Sequence, residues 1–325
     1  MNASHKSLDG NLPVIGLTMG DPAGIGPELC LTLLRDEEVF TRCRPVIFGD
    51  TKLLQRIATT CGTPLAPPGE GDVVEVACAD METIVPGRIS AAGGRAAYRC
   101  VEAATREALA KRIAAIVTAP LNKESLHLAG VPFPGHTEML ADLTGTRRYC
   151  MMLASDKIVT SLVTTHTALS QVPAGLSVER ILEVIRLTHA AMSRLRPGRP
   201  RLTVCALNPH AGENGLFGAE EETLILPAIL QARQEGLQIE GPLPPDTAFL
   251  PDRLARTDAT ICMYHDQGLI PFKMLAFDVG VNVTLGLPIV RTSPDHGTAF
   301  DLAWTGRAHA SSMREAILLA ARLCR

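Results

Sequence analysis

The 325-residue chain lacks an excess charge of either sign: 31 lysines and arginines stand against 34 aspartates and glutamates, a formal net charge of −3. That balance builds no field for a polyanion, which argues against nucleic acid as a partner. No apolar run approaches the ~18 residues a membrane helix needs, and Met1 to Leu12 contain no apolar signal-peptide core. No membrane contact is expected, and a cytoplasmic location is. The nine cysteines include no Cys-x-x-Cys pair, which argues against a thiolate zinc site and for reduced thiols that are mostly small core residues. Internal repeats and low-complexity tracts are missing. So are the Gly-x-Gly-x-x-Gly dinucleotide fingerprint and the Gly-Lys-Ser/Thr phosphate loop. The run Thr18-Met-Gly-Asp-Pro-Ala-Gly-Ile-Gly-Pro-Glu28 meets neither pattern, and its Gly20, Gly24 and Gly26 would permit a tight turn into a helix opened by Pro27.

What is present suits a globular enzyme-sized molecule. Hydrophobic residues make up 46% of the chain and charged residues 20%, enough for a sizeable core, and the length predicts two lobes with a cleft. Short β-branched runs alternate with segments of helical period, the pattern of βαβ units and a mostly parallel sheet. Strands are predicted at Val14 to Thr18, Pro45 to Phe48, Val73 to Ala77, Ala114 to Thr118, Cys150 to Leu153, Ile158 to Val163, Leu202 to Leu207, Ala259 to Tyr264, Val281 to Leu285 and Ile289 to Thr292. Ala97, Val101, Ala104 and Ala108 form one apolar stripe on a helix starting near Gly94. Further helices are expected with Val178, Ile181, Ile185 and Met192 on one face, over Glu220 to Glu235, and over Arg314 to Leu323.

In open α/β sheets ligands bind at the carboxyl ends of strands. Three histidines follow predicted strands there: His166, His210 and His265. Imidazole suits divalent metals, and three protein ligands leave a position open for substrate; capping or core roles are the plain alternative. His5 falls in a loose terminus, and His127, His189 and His309 in helical or surface-like segments. His136 and Thr137 follow a Pro-Gly turn at a helix start, where free N–H groups favour an anion or where Thr137 simply caps. Lys273, Asn282 and Arg291 lie on otherwise apolar segments, so either an anionic substrate or protein carboxylates must pair the cations.

These residues carry a resemblance that spans essentially the whole chain. Thr18 to Glu28, Thr118-Ala-Pro-Leu-Asn-Lys123, Pro134-Gly-His-Thr-Glu138, Asn208-Pro-His-Ala-Gly-Glu213, Tyr264-His-Asp-Gln-Gly268 and Arg291-Thr-Ser-Pro-Asp-His-Gly-Thr-Ala-Phe-Asp301 resemble the 4-hydroxythreonine-4-phosphate dehydrogenases of pyridoxal phosphate biosynthesis. The resemblance implies a divalent metal (zinc, magnesium or cobalt) on His166, His210 and His265, and substrate contacts from His136, Thr137, Lys273, Asn282 and Arg291. It implies the two-lobed α/β fold of isocitrate and isopropylmalate dehydrogenases, with residues 1–125 and 274–325 as a cofactor lobe. Residues 126–273 would carry the metal histidines and the contacts of a homodimer that shares its active sites. It implies NAD or NADP on the loop from Asp295, with His296, Gly297 and Asp301 as contacts. The implied reaction oxidises a secondary alcohol and releases carbon dioxide, with Asp246, Asp266 or Lys273 as proton acceptor. The alternative role for Asp246 or Asp266 is only to orient a metal histidine. Leu121-Asn-Lys123 and Asp301-Leu-Ala-Trp-Thr-Gly306 resemble a branch acting on 4-phospho-D-threonate or 4-phospho-D-erythronate in sugar-acid catabolism, so both substrate types are carried forward. A non-catalytic two-lobed binding protein is the rival from another class.

Overall fold

The apolar runs become strands of one sheet in the computed structural model, which describes residues 12–62, 69 and 71–324. His5 lies outside the described residues. The strands are β1 (Val14–Thr18), β2 (Arg44–Gly49), β3 (Val73–Glu75), β4 (Ala115–Thr118), β5 (Cys150–Ala154), β6 (Val159–Leu162), β7 (Arg201–Cys205), β8 (Gln238–Leu243), β9 (Ala259–Cys262), β10 (Val281–Leu285) and β11 (Val290–Pro294). Their order is β3-β2-β1-β4-β11-β10-β5-β6-β9-β7-β8. Neighbours run parallel except at β11–β10, β10–β5 and β5–β6. Three successive reversals leave β6, β9, β7 and β8 running opposite to β11, β4, β1, β2 and β3. The fold is therefore mixed α/β and mostly parallel, with the late strands β10 and β11 inserted between the two halves.

Helices cover both faces, so β4, β5, β6 and β9 are buried along their whole length and read as unbroken apolar runs. Side chains such as Ile15, Leu17, Ile116 and Ile261, all fully buried, each contribute roughly 1.5–3 kcal/mol through area removed from water. The helix Ala91–Leu109 turns the predicted stripe of Ala97, Val101, Ala104 and Ala108 inward. A Cβ on its Gly94 would lie 1.9 Å from the Ser125 carbonyl oxygen, so glycine there lets the short helix Lys123–Leu128 pack directly against it.

Of the elements that escaped the periodicity, two bear on the site. β8 carries Gly241 and Pro242 and pairs only with β7, and an edge strand tolerates the missing N–H of a proline. The helix His265–Ala276 contains Gly268 and Pro271, residues that normally interrupt helices, yet its buried Leu269, Phe272 and Ala276 pack it in place. His265 is thus the first residue of a helix directly after β9.

Candidate active site

A cavity of about 670 Å³ opens across the middle of the sheet, where strand direction reverses. Its walls include Thr118 at the end of β4, Arg291 and Ser293 from β11, Asn282 from β10 and Met151 from β5. Residues two apart on a strand share a face, and Asn282 stands opposite Ser293 in the β10–β11 register. A polar face of otherwise apolar central strands therefore meets the cavity. Loop residues after β4, β11 and β6, and the helix that follows β9, help to complete it. The carboxyl-end rule accounts for His166, His265 and His296, but Arg291 and Asn282 lie within strands.

Arg291 is 2% exposed. Its Nε and Nη2 donate to Thr118 Oγ1 at 3.1 and 2.7 Å, and Nη1 donates to Thr284 Oγ1 at 3.0 Å. Among the described residues these hydroxyls are its hydrogen-bond partners, and no carboxylate forms an ion pair with it. Burial pulls the guanidinium below its usual range, partly opposed by Glu138 nearby. Beside it, Nε2 of His136 and Oδ1 of Asn282 are buried without a hydrogen-bond partner among the described residues. Burial first, and then the Arg291 cation, hold His136 well below the ordinary imidazole range, so it is neutral near pH 7. Each unsatisfied buried group costs about 1–3 kcal/mol, and an uncompensated buried cation costs more. An anion bound against Arg291 would offset both.

The helix His136–Leu143 begins beside this cradle with Gly135 at its N-cap and no capping side chain. Thr137 is inside the first turn and does not cap it, so the expected capping role gives way to free N–H groups at a positive helix end. His136, Thr137 and Glu138 all line the cavity. Lys273 lines it too, with Nζ 3.7 Å from Asp295 Oδ2. Burial raises the Asp295 carboxyl, and Lys273 works against that shift. Of the two cations expected to need partners, Arg291 alone is buried; Lys273 is exposed, and the carboxylate pairing falls to it and not to Arg291.

His166 and His265 face each other with ring centroids 5.6 Å apart, because they follow the adjacent parallel strands β6 and β9. Partial burial, then Lys123 and His265, lower the His166 pKa, which favours the neutral form that binds metals. His265 Nδ1 lies 2.6 Å from Asp266 Oδ1. That contact fixes the ring through Nδ1 and frees Nε2, so Asp266 orients His265; its side chain is 70% exposed and does not line the cavity. His210 does not join the pair. It sits beyond β9, after β7, on an exposed turn where Nδ1 contacts Glu213 Oε2 at 3.0 Å. Among the described residues no three ligating side chains converge, so the expected three-histidine site is not assembled within one chain. From His210 to Gly215 every residue has positive φ, and His210, Ala211, Glu213 and Asn214 are not glycine. That conformation costs an L-residue roughly 1–2 kcal/mol.

His296 and Gly297 line the cavity, whereas Asp301 is exposed and outside it. Asp246 is exposed on the turn after β8 and likewise outside the cavity of its own chain. The loop carrying His296 is clipped to the loop after β1: Ile25 N donates to Thr298 O at 3.0 Å, and Trp304 Nε1 to Pro22 O at 3.0 Å. A Cβ on Gly24 would come within 2.9 Å of Thr298 O, so glycine at this position permits close packing against the loop that carries Thr298.

Several residues at or below the cavity were not singled out from sequence, Thr118 and Ser293 among them. Lys123 and Glu138 line it, and both stood at the ends of quoted motifs, which was the available signal. Gln267 is buried: its Oε1 accepts from Met263 N at 2.6 Å and its Nε2 donates to Ala206 O at 2.7 Å. It ties together the ends of β9 and β7, and nothing in an isolated glutamine signals that role.

Comparison with known proteins gives three related findings. The family described as pyridoxal phosphate biosynthetic protein PdxA matches residues 41–320. The chain is 47% identical to a 4-hydroxythreonine-4-phosphate dehydrogenase of Geobacter metallireducens, covering 96% of each, and 45% identical to a D-threonate 4-phosphate dehydrogenase of Salmonella typhimurium, covering 95% of this chain and 98% of that one. A crystal structure of 4-hydroxythreonine-4-phosphate dehydrogenase from Klebsiella pneumoniae superposes with a TM-score of 0.84 at 42% identity, over 96% of this chain and 100% of that one.

Proposed function

The chain belongs to the PdxA family, and on that premise we propose that it oxidises and decarboxylates 4-phosphohydroxy-L-threonine with NAD or NADP and a divalent metal. It is an oxidoreductase of the dehydrogenase kind. The observation that carries the substrate reading is Arg291: a buried guanidinium held by two threonine hydroxyls, without a carboxylate partner, facing a cavity lined by His136 and Asn282. A phosphate or carboxylate of a small hydroxy acid supplies the missing anion, with Thr137 and the free amides at its helix start as further donors. The 45% identity to a D-threonate 4-phosphate dehydrogenase favours a second reading, the same chemistry on 4-phospho-D-threonate or 4-phospho-D-erythronate.

His166 and His265 fit a divalent cation as adjacent imidazoles, one held in orientation by Asp266 and the other kept neutral by its surroundings. Bound there, zinc, magnesium or cobalt would supply a Lewis acid for the substrate oxygen, and NAD or NADP against His296 and Gly297 a hydride acceptor. Lys273, paired with Asp295 at the cavity wall, is the group proposed to take the hydroxyl proton. His210 fits the metal only across a subunit boundary, and this is one reason to propose a homodimer with shared clefts. A second is the apolar surface of the helix carrying His265 and Lys273: Ile270, Met274 and Phe277 are 61%, 80% and 69% exposed, and Leu216 on the His210 turn is 72% exposed. In this arrangement residues 126–273 carry the metal side, and residues 1–125 with 274–325 the cofactor side. A cytoplasmic location goes with the proposal.

The test is a substrate panel with NAD and NADP in the presence of a divalent ion, read at the reduced-nicotinamide absorbance. Highest kcat/KM is expected on 4-phosphohydroxy-L-threonine; a preference for 4-phosphothreonate or 4-phosphoerythronate selects the second reading. No reduction with any of the three, or equal turnover of dephosphorylated analogues, rejects both.

A further inference from the structure

The strongest unexplained feature outside the cavity is how the His210 turn is held. Six consecutive residues, His210 to Gly215, have positive φ, and four of them carry side chains. Such a backbone persists only where its surroundings over-determine it. Its own backbone hydrogen bonds are Glu213 N to His210 O at 3.3 Å, Gly215 N to Gly212 O at 3.0 Å, Leu216 N to Glu213 O at 3.3 Å and Phe217 N to Gly212 O at 3.2 Å. The stronger anchor comes from Glu221, which is 3% exposed. Its Oε1 accepts from both Leu207 N at 2.8 Å and Asn208 N at 2.7 Å, and its Oε2 accepts from Asn208 Nδ2 at 3.0 Å. The acceptors of one buried carboxylate are thus filled by the segment that leads into the turn.

The neighbouring glycines are shaped around the same contact. A Cβ on Gly212 would lie 2.8 Å from Glu221 Oε2, and one on Gly218 would lie 2.5 Å from Asn208 Nδ2. Glu221 itself opens a π-helical turn, Glu221–Ile225, of the kind that gathers at functional sites. That turn runs into the helix Leu226–Gln234, whose Ala228, Ile229 and Ala232 are buried in the core. The carboxylate is therefore fixed from below while it grips the loop above.

We propose that Glu221 is the positioning residue of the His210 turn, holding residues 207–212 so that His210 is presented to a divalent cation. The cation part rests on the metal reading given above; the positioning of the turn does not. Asn208 takes its place in the Asn208-Pro-His-Ala-Gly-Glu213 motif as the side chain that engages Glu221, its Nδ2 also donating to Glu220 Oε2 at 2.8 Å.

The test uses the full chain with Glu221→Gln, which keeps one acceptor oxygen for the two backbone N–H groups but turns an amide toward Asn208, and the harsher Glu221→Ala. His210→Ala is the reference. Amide exchange of the metal-free proteins should quicken by about tenfold or more in peptides from 206 to 217 and stay unchanged in the central strands. Titration with Co²⁺ alone, read by its visible absorption, should give a dissociation constant about 10- to 100-fold weaker in Glu221→Gln. Unchanged exchange of the turn overturns the proposal. So does retained Co²⁺ affinity in Glu221→Gln when His210→Ala loses it. If His210→Ala keeps its Co²⁺ affinity while the turn loosens in Glu221→Gln, the metal reading fails and the positioning role stands. Should Glu221→Ala not fold, Glu221→Gln decides alone.

Discussion

The two ends of the cavity are built differently. At the anion end, Arg291, Asn282, Thr118 and Thr284 belong to the central strands or their last residues, and their geometry is set by the pairing register of β4, β11 and β10. At the histidine end, His166 and His210 sit on loops and His265 on the first residue of a helix, so their meeting depends on turns that leave the sheet. The first end is complete within one chain and holds its cation without a counter-ion. The second brings two histidines together and leaves the third on a strained turn. Strands give precision at the cost of burying charge, whereas loops spare that cost and need other anchors such as Gln267 and Glu221.

The largest expected effect tests the strand-built end. Arg291→Met should lower kcat/KM for the phosphorylated substrate by about 10²- to 10³-fold, since truncating one partner of a buried charge pair costs 2–5 kcal/mol. Co²⁺ affinity should stay within about threefold, as the metal end shares no bond with Arg291. The thermal midpoint should hold or rise, because the free protein loses a buried cation without a counter-ion, and replacing buried charge with a side chain of similar volume is often neutral or stabilising. Calorimetry showing a marked loss of stability together with intact catalysis would make Arg291 a structural residue and dissolve the contrast.

The loop-built end should respond to a smaller change. Asp266→Asn keeps the size of the side chain and removes the charge that holds His265 through Nδ1, so Co²⁺ should bind about 10- to 100-fold more weakly, with the fold unchanged by circular dichroism. His166→Ala and His265→Ala should lose at least as much, and His210→Ala should match them if a second subunit completes the site. Imidazole binds metal only when neutral, and burial with Lys123 and His265 holds His166 below the ordinary imidazole range, so its hold on Co²⁺ should persist below the pH at which a free imidazole protonates and be lost at lower pH. Wild-type Co²⁺ affinity in Asp266→Asn would show that His265 needs no orienting partner.

Much of this division is written in the sequence, in unequal measure. The central strands are continuous apolar runs, so their positions could be read, and Arg291 and Asn282 stood out because a charge and an amide interrupt such runs. The placement of His166 and His265 followed from their strands, which are neighbours in the sheet. His210 stood in an equivalent position along the chain, yet β7 lies one strand further out, and strand order is not a property of any local window. Asp246 and Asp301 lie outside the cavity of their own chain for a related reason: a motif supplies a residue type, and only the turn decides which way it faces. Gln267 and Glu221 left no mark, because their role is to accept and donate backbone hydrogen bonds across 61 and 13 residues of sequence. β8 was hidden by its glycine and proline, which an edge position alone makes tolerable.

The smallest effect expected is on stability, and it concerns His136, which stands between the two ends. Burial and the Arg291 cation depress its pKa in the folded state, while in the unfolded chain it titrates near ~6.5. At pH 7 and above both states are neutral and the contribution of His136 to stability is fully present. As pH falls through ~6.5 toward the lower folded value, the unfolded state takes up a proton that the folded state refuses, so stability is lost. One proton limits the slope to about 1.4 kcal/mol per pH unit. That corresponds to a shift of order 2–4 °C in thermal midpoint per unit. His136→Asn should flatten the wild-type decline between pH 6.5 and 5 while changing the midpoint little at pH 7.5. Inorganic phosphate should flatten it too, because an anion against Arg291 cancels the charge that opposes protonation of His136. Parallel midpoint curves for wild type and His136→Asn would mean that neither burial nor Arg291 holds the ring neutral in the folded protein.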